Sequence, residues 1–295
     1  MPQRQELLML TGFGHDATSA RVIAVQPEEW EDDSWNHRSF VLGLKGEALG
    51  LLKTLDFPVH EAWTSPTSGV TYCPTHKGSV AMHAGERWRL APVCSRNEEF
   101  GALIGFGGKT AEDDRLVICG SSSLFIGAPS SGFREVALPD DVDEIYRLHG
   151  LDENEIYLCT DAGLLLWNGK TVTPVDQPDD ELLDVLVVSP TELIGIGDEA
   201  HRWVDGKGWK TLRSAVEEFS QGLCWFQEHI VAPSLDGVAR LEGNEFKRIS
   251  KYSSNQLVPC GDVLMAAGAD GGLAAYNGSA WIRIKLPKLG KGEAI

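Results

Sequence analysis

Residues 161–173 read "DAGLLLWNGKTVT". Two turn signals, Asp161-Ala162-Gly163 and Asn168-Gly169, bracket Leu164, Leu165, Leu166 and Trp167. Both favour the positive-φ geometry that joins antiparallel strands, so the stretch predicts strand, tight turn, strand. A strand with one wet face alternates apolar and polar residues. Four consecutive apolar residues instead need cover on both faces, and that cover has to come from elsewhere in the chain.

The stretch recurs. "HAGERW" spans 83–88, "WNGKTV" 167–172, "VDGKGW" 204–209, "LEGNEF" 241–246 and "YNGSAW" 276–281. Three residues after each Gly stands Trp88, Val172, Trp209, Phe246 or Trp281. Upstream lies an apolar run ("EIYLCT", "ELIGIG", "HIVAPS", "VLMAAG"), then a second turn that is often Asp-rich, and a further apolar run precedes each unit. The unit is therefore four strands. With the second strand of successive units placed at Phe40, Val70, Leu116, Ile156, Leu193, Ile230 and Leu264, the spacing runs from 30 to 46 residues. The first and third units are degenerate; "GAPSSGF" stands in the third where Gly-x-x-aromatic is expected.

A four-stranded unit at this period predicts an all-β chain, a single β-propeller of antiparallel blades, most simply seven. A lone meander cannot cover its two faces, whereas stacking around an axis buries each against a neighbour. The repeats resemble the bacterial propellers whose units end in YNGxxW and, more distantly, kelch and BNR-type propellers. That resemblance spans about residues 69–287 and implies architecture rather than activity. One domain, 1–295, is expected. Residues 1–38 would be an irregular start, with "ARVIAVQ" (20–26) as inner strand of the first blade, "QPEEWEDDSWNH" (26–37) as an acidic insertion and "LLMLTGF" (7–13) closing the last blade. Residues 288–295 would fray. The Gly-x-x-aromatic rings are expected to pack between blades. Sugar stacking, as in a lectin, would need repeated polar groups beside each ring, and the residues before them vary (Arg87, Gly208, Ala280).

Composition bounds the function. Net charge is −17, which argues against nucleic acid and against anionic lipid as partners. No run is long and apolar enough to span a bilayer, and the N-terminus lacks a secretory pattern. The six cysteines (Cys73, Cys94, Cys119, Cys159, Cys224, Cys260) are scattered without CxxC and read as reduced thiols of a cytoplasmic protein, monomeric on its own. Cys73, His76 and His83 make only a partial zinc set, "DDVDE" (140–144) and "DQPDDE" (176–181) are not calcium loops, and no G-x-S-x-G occurs. No cofactor, metal or catalytic residue is assigned. His149 falls on an inner strand, facing the axis or a neighbouring blade.

Charge placement is the most informative feature. In a propeller the turns between second and third strands share a face with the links between blades. That face takes Asp161, Asp198, Glu199, Asp236 and Asp270 from hairpins, and Asp179, Asp180 and Glu181 among the acids of the links. The opposite face is mixed, with Glu86, Lys170, Asp205, Lys207 and Glu242. Asp favours turns in any case, but the links are also poor in Lys and Arg. Such a face attracts a cationic partner. The expected function is a non-catalytic propeller docking a basic protein, one form being an immunity protein that neutralises a toxin. The alternatives are a lyase or hydrolase at the central channel and a lectin-like glycan binder.

Overall fold

The computed structural model describes residues 8–14, 20–25, 39–45, 48–85, 87–268 and 272–284. These form seven sheets, each built on four antiparallel strands, and, among the described residues, no helix. Each sheet is a meander whose strands follow in chain order, and the first strands line the axis. Blade 1 spans 8–55, blade 2 63–92, blade 3 100–136, blade 4 145–174, blade 5 184–211, blade 6 224–250 and blade 7 256–284. Blade 6 gains a short fifth strand, Arg213–Ser214, running parallel to its rim strand Glu245–Ser250. The all-β, seven-bladed propeller expected from the repeat is the fold found.

The opening stretch is the third strand of blade 4, Gly163–Trp167. Gly163 and Gly169 take φ of 108° and 85°, values that an L side chain rarely adopts. Leu165 and Trp167 point into the core between blades 3 and 4, whereas Leu164 and Leu166 point into the core between blades 4 and 5. Trp167 is only 1% exposed. Its Nε1 donates to the Glu153 carbonyl at 2.9 Å, and the Arg134 guanidinium of blade 3 lies over its ring at 4.9 Å. All seven cores sit between two adjacent blades, so each sheet is covered on both faces.

The repeated rim residue has one job around the ring. Trp88, Phe133, Val172, Trp209, Phe246 and Trp281 each lean on the core shared with the preceding blade. Phe133 shows that the degenerate "GAPSSGF" unit keeps the position. Trp88 stacks on His83 at 4.6 Å and Trp281 on Tyr276 at 4.9 Å, while Trp209 donates to the Asp176 carbonyl at 2.9 Å. These contacts engage the rings in packing, as the sequence suggested.

Blade 1 differs from the expectation. Leu8–Phe13 is its own inner strand, paired with Arg21–Val25, and does not close blade 7. Arg21–Val25 is the second strand and Phe40 lies on the third, Ser39–Lys45. The physical reason is that blade 7 supplies all four of its strands from 256–284, leaving no edge to complete. Among the described residues the ring closes through side chains: Val22, Phe40 and Leu42 of blade 1 against Val263, Met265 and Leu273 of blade 7. The acidic segment 26–37 and the tail 288–295 lie outside the described residues.

On the face opposite the links, blades 2 and 3 are tied by one buried carboxylate. Asp114 accepts from the Ser65 hydroxyl (2.9 Å), the Ser68 hydroxyl (2.8 Å), the Tyr72 hydroxyl (2.9 Å) and Gly108 N–H (2.9 Å). It is fully buried, so four donors from three segments depend on it.

Candidate functional site

Direct hydrogen bonds place hairpins and links on one face. Asp161 Oδ1 accepts from the N–H groups of Asp143 (3.1 Å) and Glu144 (2.9 Å). Asp236 Oδ1 accepts from Glu217 N–H at 3.3 Å, and Asp180 Oδ2 from Glu199 N–H at 3.3 Å. Each bond joins a second-to-third-strand hairpin to the link entering the same blade. The acids are concentrated over blades 4–6, where Asp140, Asp141, Asp143, Glu144, Asp176, Asp179, Glu181, Glu217 and Glu218 are exposed.

These bonds divide the expected docking residues. Asp161 holds the link backbone, and the Glu144 and Asp143 N–H groups lower its pKa. Asp236 is committed to the Ser234 hydroxyl and to an ion pair with Arg248; burial raises its pKa, but these partners bring the net shift below the usual range. Asp180 faces His201 Nε2 at 2.6 Å. Glu181 accepts from the Tyr146 hydroxyl, which pushes that phenol up to about 12. Asp179, Asp198 and Glu199 have no cationic partner among the described residues. Asp179, Asp180 and Glu199 line a groove of about 350 Å³ with Gln177, His201, Trp209 and Lys210. Asp270 lies outside the described residues, as does Glu86.

A second region was not singled out from sequence. The central channel holds a cavity of about 370 Å³. Glu61 precedes the inner strand of blade 2, Arg147 lies on that of blade 4 (Ile145–Asp152), and Asp184 begins that of blade 5 (Asp184–Ser189). Arg147 Nη1 donates to Glu61 Oε1 at 2.5 Å, and Glu61 Oε2 accepts from Leu103 N–H at 2.9 Å. Asp184 accepts from the N–H groups of Val185 (2.8 Å), Gly222 (2.7 Å) and Leu223 (2.9 Å). Burial raises both carboxyls while Arg147 opposes it. The sequence signal was present: Arg147 interrupts "IYRLHG" and Asp184 interrupts "LLDVLVV". A charge within an apolar axial strand has nowhere to point but the channel or a neighbour.

His149 also lines the cavity and accepts from Val187 N–H of blade 5 at 3.2 Å, so it meets both the axis and a neighbour. Burial lowers its pKa from 6.5 to about 4. The folded state therefore keeps it neutral where the unfolded chain would bind a proton. Its contribution to stability is complete above pH 6.5 and is lost as pH falls toward 4. Relative to His149→Gln, the wild type should lose roughly 1.5 kcal/mol between pH 6.5 and 5, measured by urea unfolding. Parallel pH profiles for the two proteins would show that the ring is not held neutral.

No family model matches the chain, and no curated protein matches it in sequence. Solved structures do. The WD40 β-propeller domain of Doa1 superposes with a TM-score of 0.62 at 10% identity, covering 96% of this chain and 97% of that one. Catalytically inactive virginiamycin B lyase from Staphylococcus aureus, with quinupristin, superposes with a TM-score of 0.61 at 9% identity, covering 84% and 87%. This chain has the seven-bladed propeller fold. At such identities the likeness extends to the fold alone.

Proposed function

We propose that the chain is a non-catalytic interaction propeller that seats a basic protein on the acidic face of blades 4–6. The observation that carries this reading is the density of exposed acids over the link face of blades 4–6. Among the described residues Asp179, Asp198 and Glu199 there have no cationic partner, although Asp236 is paired with Arg248; on the other face Glu242 is neutralised by Arg240 and Lys247. Dense like charge raises a negative potential that speeds encounter with a positive surface. Inhibition of a basic toxin is one form of such docking, and chaperoning a basic partner is another. The non-catalytic reading is supported by what the channel carboxylates hold: Glu61 is paired with Arg147 and bonded to Leu103 N–H, and Asp184 receives three backbone N–H groups, so both tie inner strands together. We read the compartment as cytoplasmic because all six thiols are free.

The test is charge reversal with a captured basic partner, followed by association kinetics at low and high salt. Asp198→Lys with Glu199→Lys should slow association about tenfold at low salt, and the difference should shrink as salt rises. Asp205→Lys, on the opposite face, should leave the rate unchanged. Equal effects from both variants, or binding indifferent to salt, would overturn the docking face. Asp236 is a poor choice for reversal, since its loss also frees Arg248 and the Glu217 amide.

A further inference from the structure

We propose that the channel cavity binds a small arylalkyl amine, with its ammonium on Glu61 and its ring against Trp63 and Trp225. The inference stands apart from protein docking on the link face. A cavity of about 370 Å³ is within the range of small-molecule sites, which combine an apolar lining with a few placed polar groups. Here the lining sets aromatic and aliphatic side chains beside Glu61, Arg147 and Asp184.

The charge count decides the sign of the ligand. Two carboxyls meet one guanidinium, and Arg147 is the only Arg or Lys among the described residues of the lining. His149 adds no positive charge, since burial keeps its ring neutral. Burial raises both carboxyls, Arg147 opposes the rise, and the Asp184 charge pushes Glu61 further up, as expected where negative charge lacks full compensation. Acceptor sites are also spare. An ionised carboxylate offers about four lone-pair sites. Glu61 uses two of them, for Arg147 Nη1 and Leu103 N–H, and its side chain keeps 19% of its surface open. Asp184 uses three, for Val185, Gly222 and Leu223. Glu61 is therefore the anchor. An ammonium group brings three donors and a full positive charge, so it fills the spare sites and balances the excess.

The aromatic side chains set the rest of the ligand. Trp225 is 43% exposed, lines the cavity from blade 6 and belongs to none of the seven inter-blade cores, so packing does not account for it. Trp63 lies two residues beyond Glu61, at most about 7 Å along the chain. It is fixed at the wall: its ring stacks on Tyr72 at 5.7 Å, and a Cβ at Gly105 would stand 2.2 Å from it. That span suits a ring joined to its nitrogen by one or two carbons. Glu61 and Asp184 stand at the link end of the inner strands, so the exposed acids of that face draw cations toward the mouth nearest the anchor.

The test uses benzylamine, phenethylamine and tryptamine as probes. Phenylacetate and phenylethanol are the anionic and neutral controls, and ethylamine carries the same charge without a ring. Calorimetry and saturation-transfer NMR are run on the full chain at physiological salt, where surface attraction is screened beyond about 8 Å. At least one arylalkyl amine should bind, and every control should bind at least about tenfold more weakly. Glu61→Gln removes the excess charge and should weaken amine binding at least about tenfold. Trp225→Ala removes a ring that no core uses and should weaken it about fivefold, which keeps the test decisive if Glu61→Gln does not fold. Binding by none of the three amines, a control bound as tightly as the amines, or amine affinity unchanged in Trp225→Ala or in folded Glu61→Gln would each overturn the proposal.

Discussion

Asp114→Ala should destabilise the protein by about 4 kcal/mol, seen as a drop in the urea midpoint with an unchanged slope. The carboxylate receives three hydroxyls and one backbone N–H in a site closed to water. Hydrogen bonds to a charged acceptor contribute about 1.5–3 kcal/mol each, and their loss leaves buried donors without partners. The full sum is not reached because the Tyr72 hydroxyl also reaches the Ala111 carbonyl at 3.1 Å, and the serine hydroxyls can turn. Asp114→Asn should recover only part of the loss, since one carboxylate oxygen becomes a donor facing donors. A cost under about 1 kcal/mol for the alanine variant would mean that the hub does not hold blades 2 and 3 together.

Trp167→Ala should cost about 3–5 kcal/mol by the same measurement. The ring is buried between blades 3 and 4, its N–H is bonded, and Arg134 covers it from the neighbouring blade. Removal opens a cavity that two rigid sheets cannot collapse to fill. Trp209→Ala and Trp281→Ala should cost less, about 2 kcal/mol, because both rings are only half-buried at the rim. Reversal of that order would mean that the rim, rather than the third strands, carries the blade-to-blade packing.

The same comparison shows what was legible in advance. "DAGLLLWNG" states its own geometry, since glycine turns and a two-sided apolar run are local, and local signals repeat with the blade. Blade 1 departs from the expectation because the sequence between its second and third strands, 26–38, lacks a compact turn signal and displaces the beat by one strand. Arg147 and Glu61 are 86 positions apart and meet only because the ring brings blades 2 and 4 to one axis. No spacing rule reaches that far. The acids of 176–181 and 198–199 were placed on one face from topology alone, yet which of them carries a backbone bond and which stands free depended on side-chain directions that a sequence does not display.

Among the described residues the ring closes without strand exchange, which makes the seam between blades 7 and 1 equivalent to the other joints. Blade 7 finishes at Ile284 on a rim strand and blade 1 begins at Leu8 on an axial strand, the same relation that every link spans between neighbouring blades. The seam between them is a core like the other six. The fold is therefore indifferent to where the chain is cut. A circular permutant that joins Ile284 to Leu8 through a linker and opens at the 137–144 link keeps every described strand pair and every inter-blade core, with blade 4 as its start and blade 3 as its end. The order of blades along the gene is then one choice among seven, and the propeller's topology does not record which blade came first.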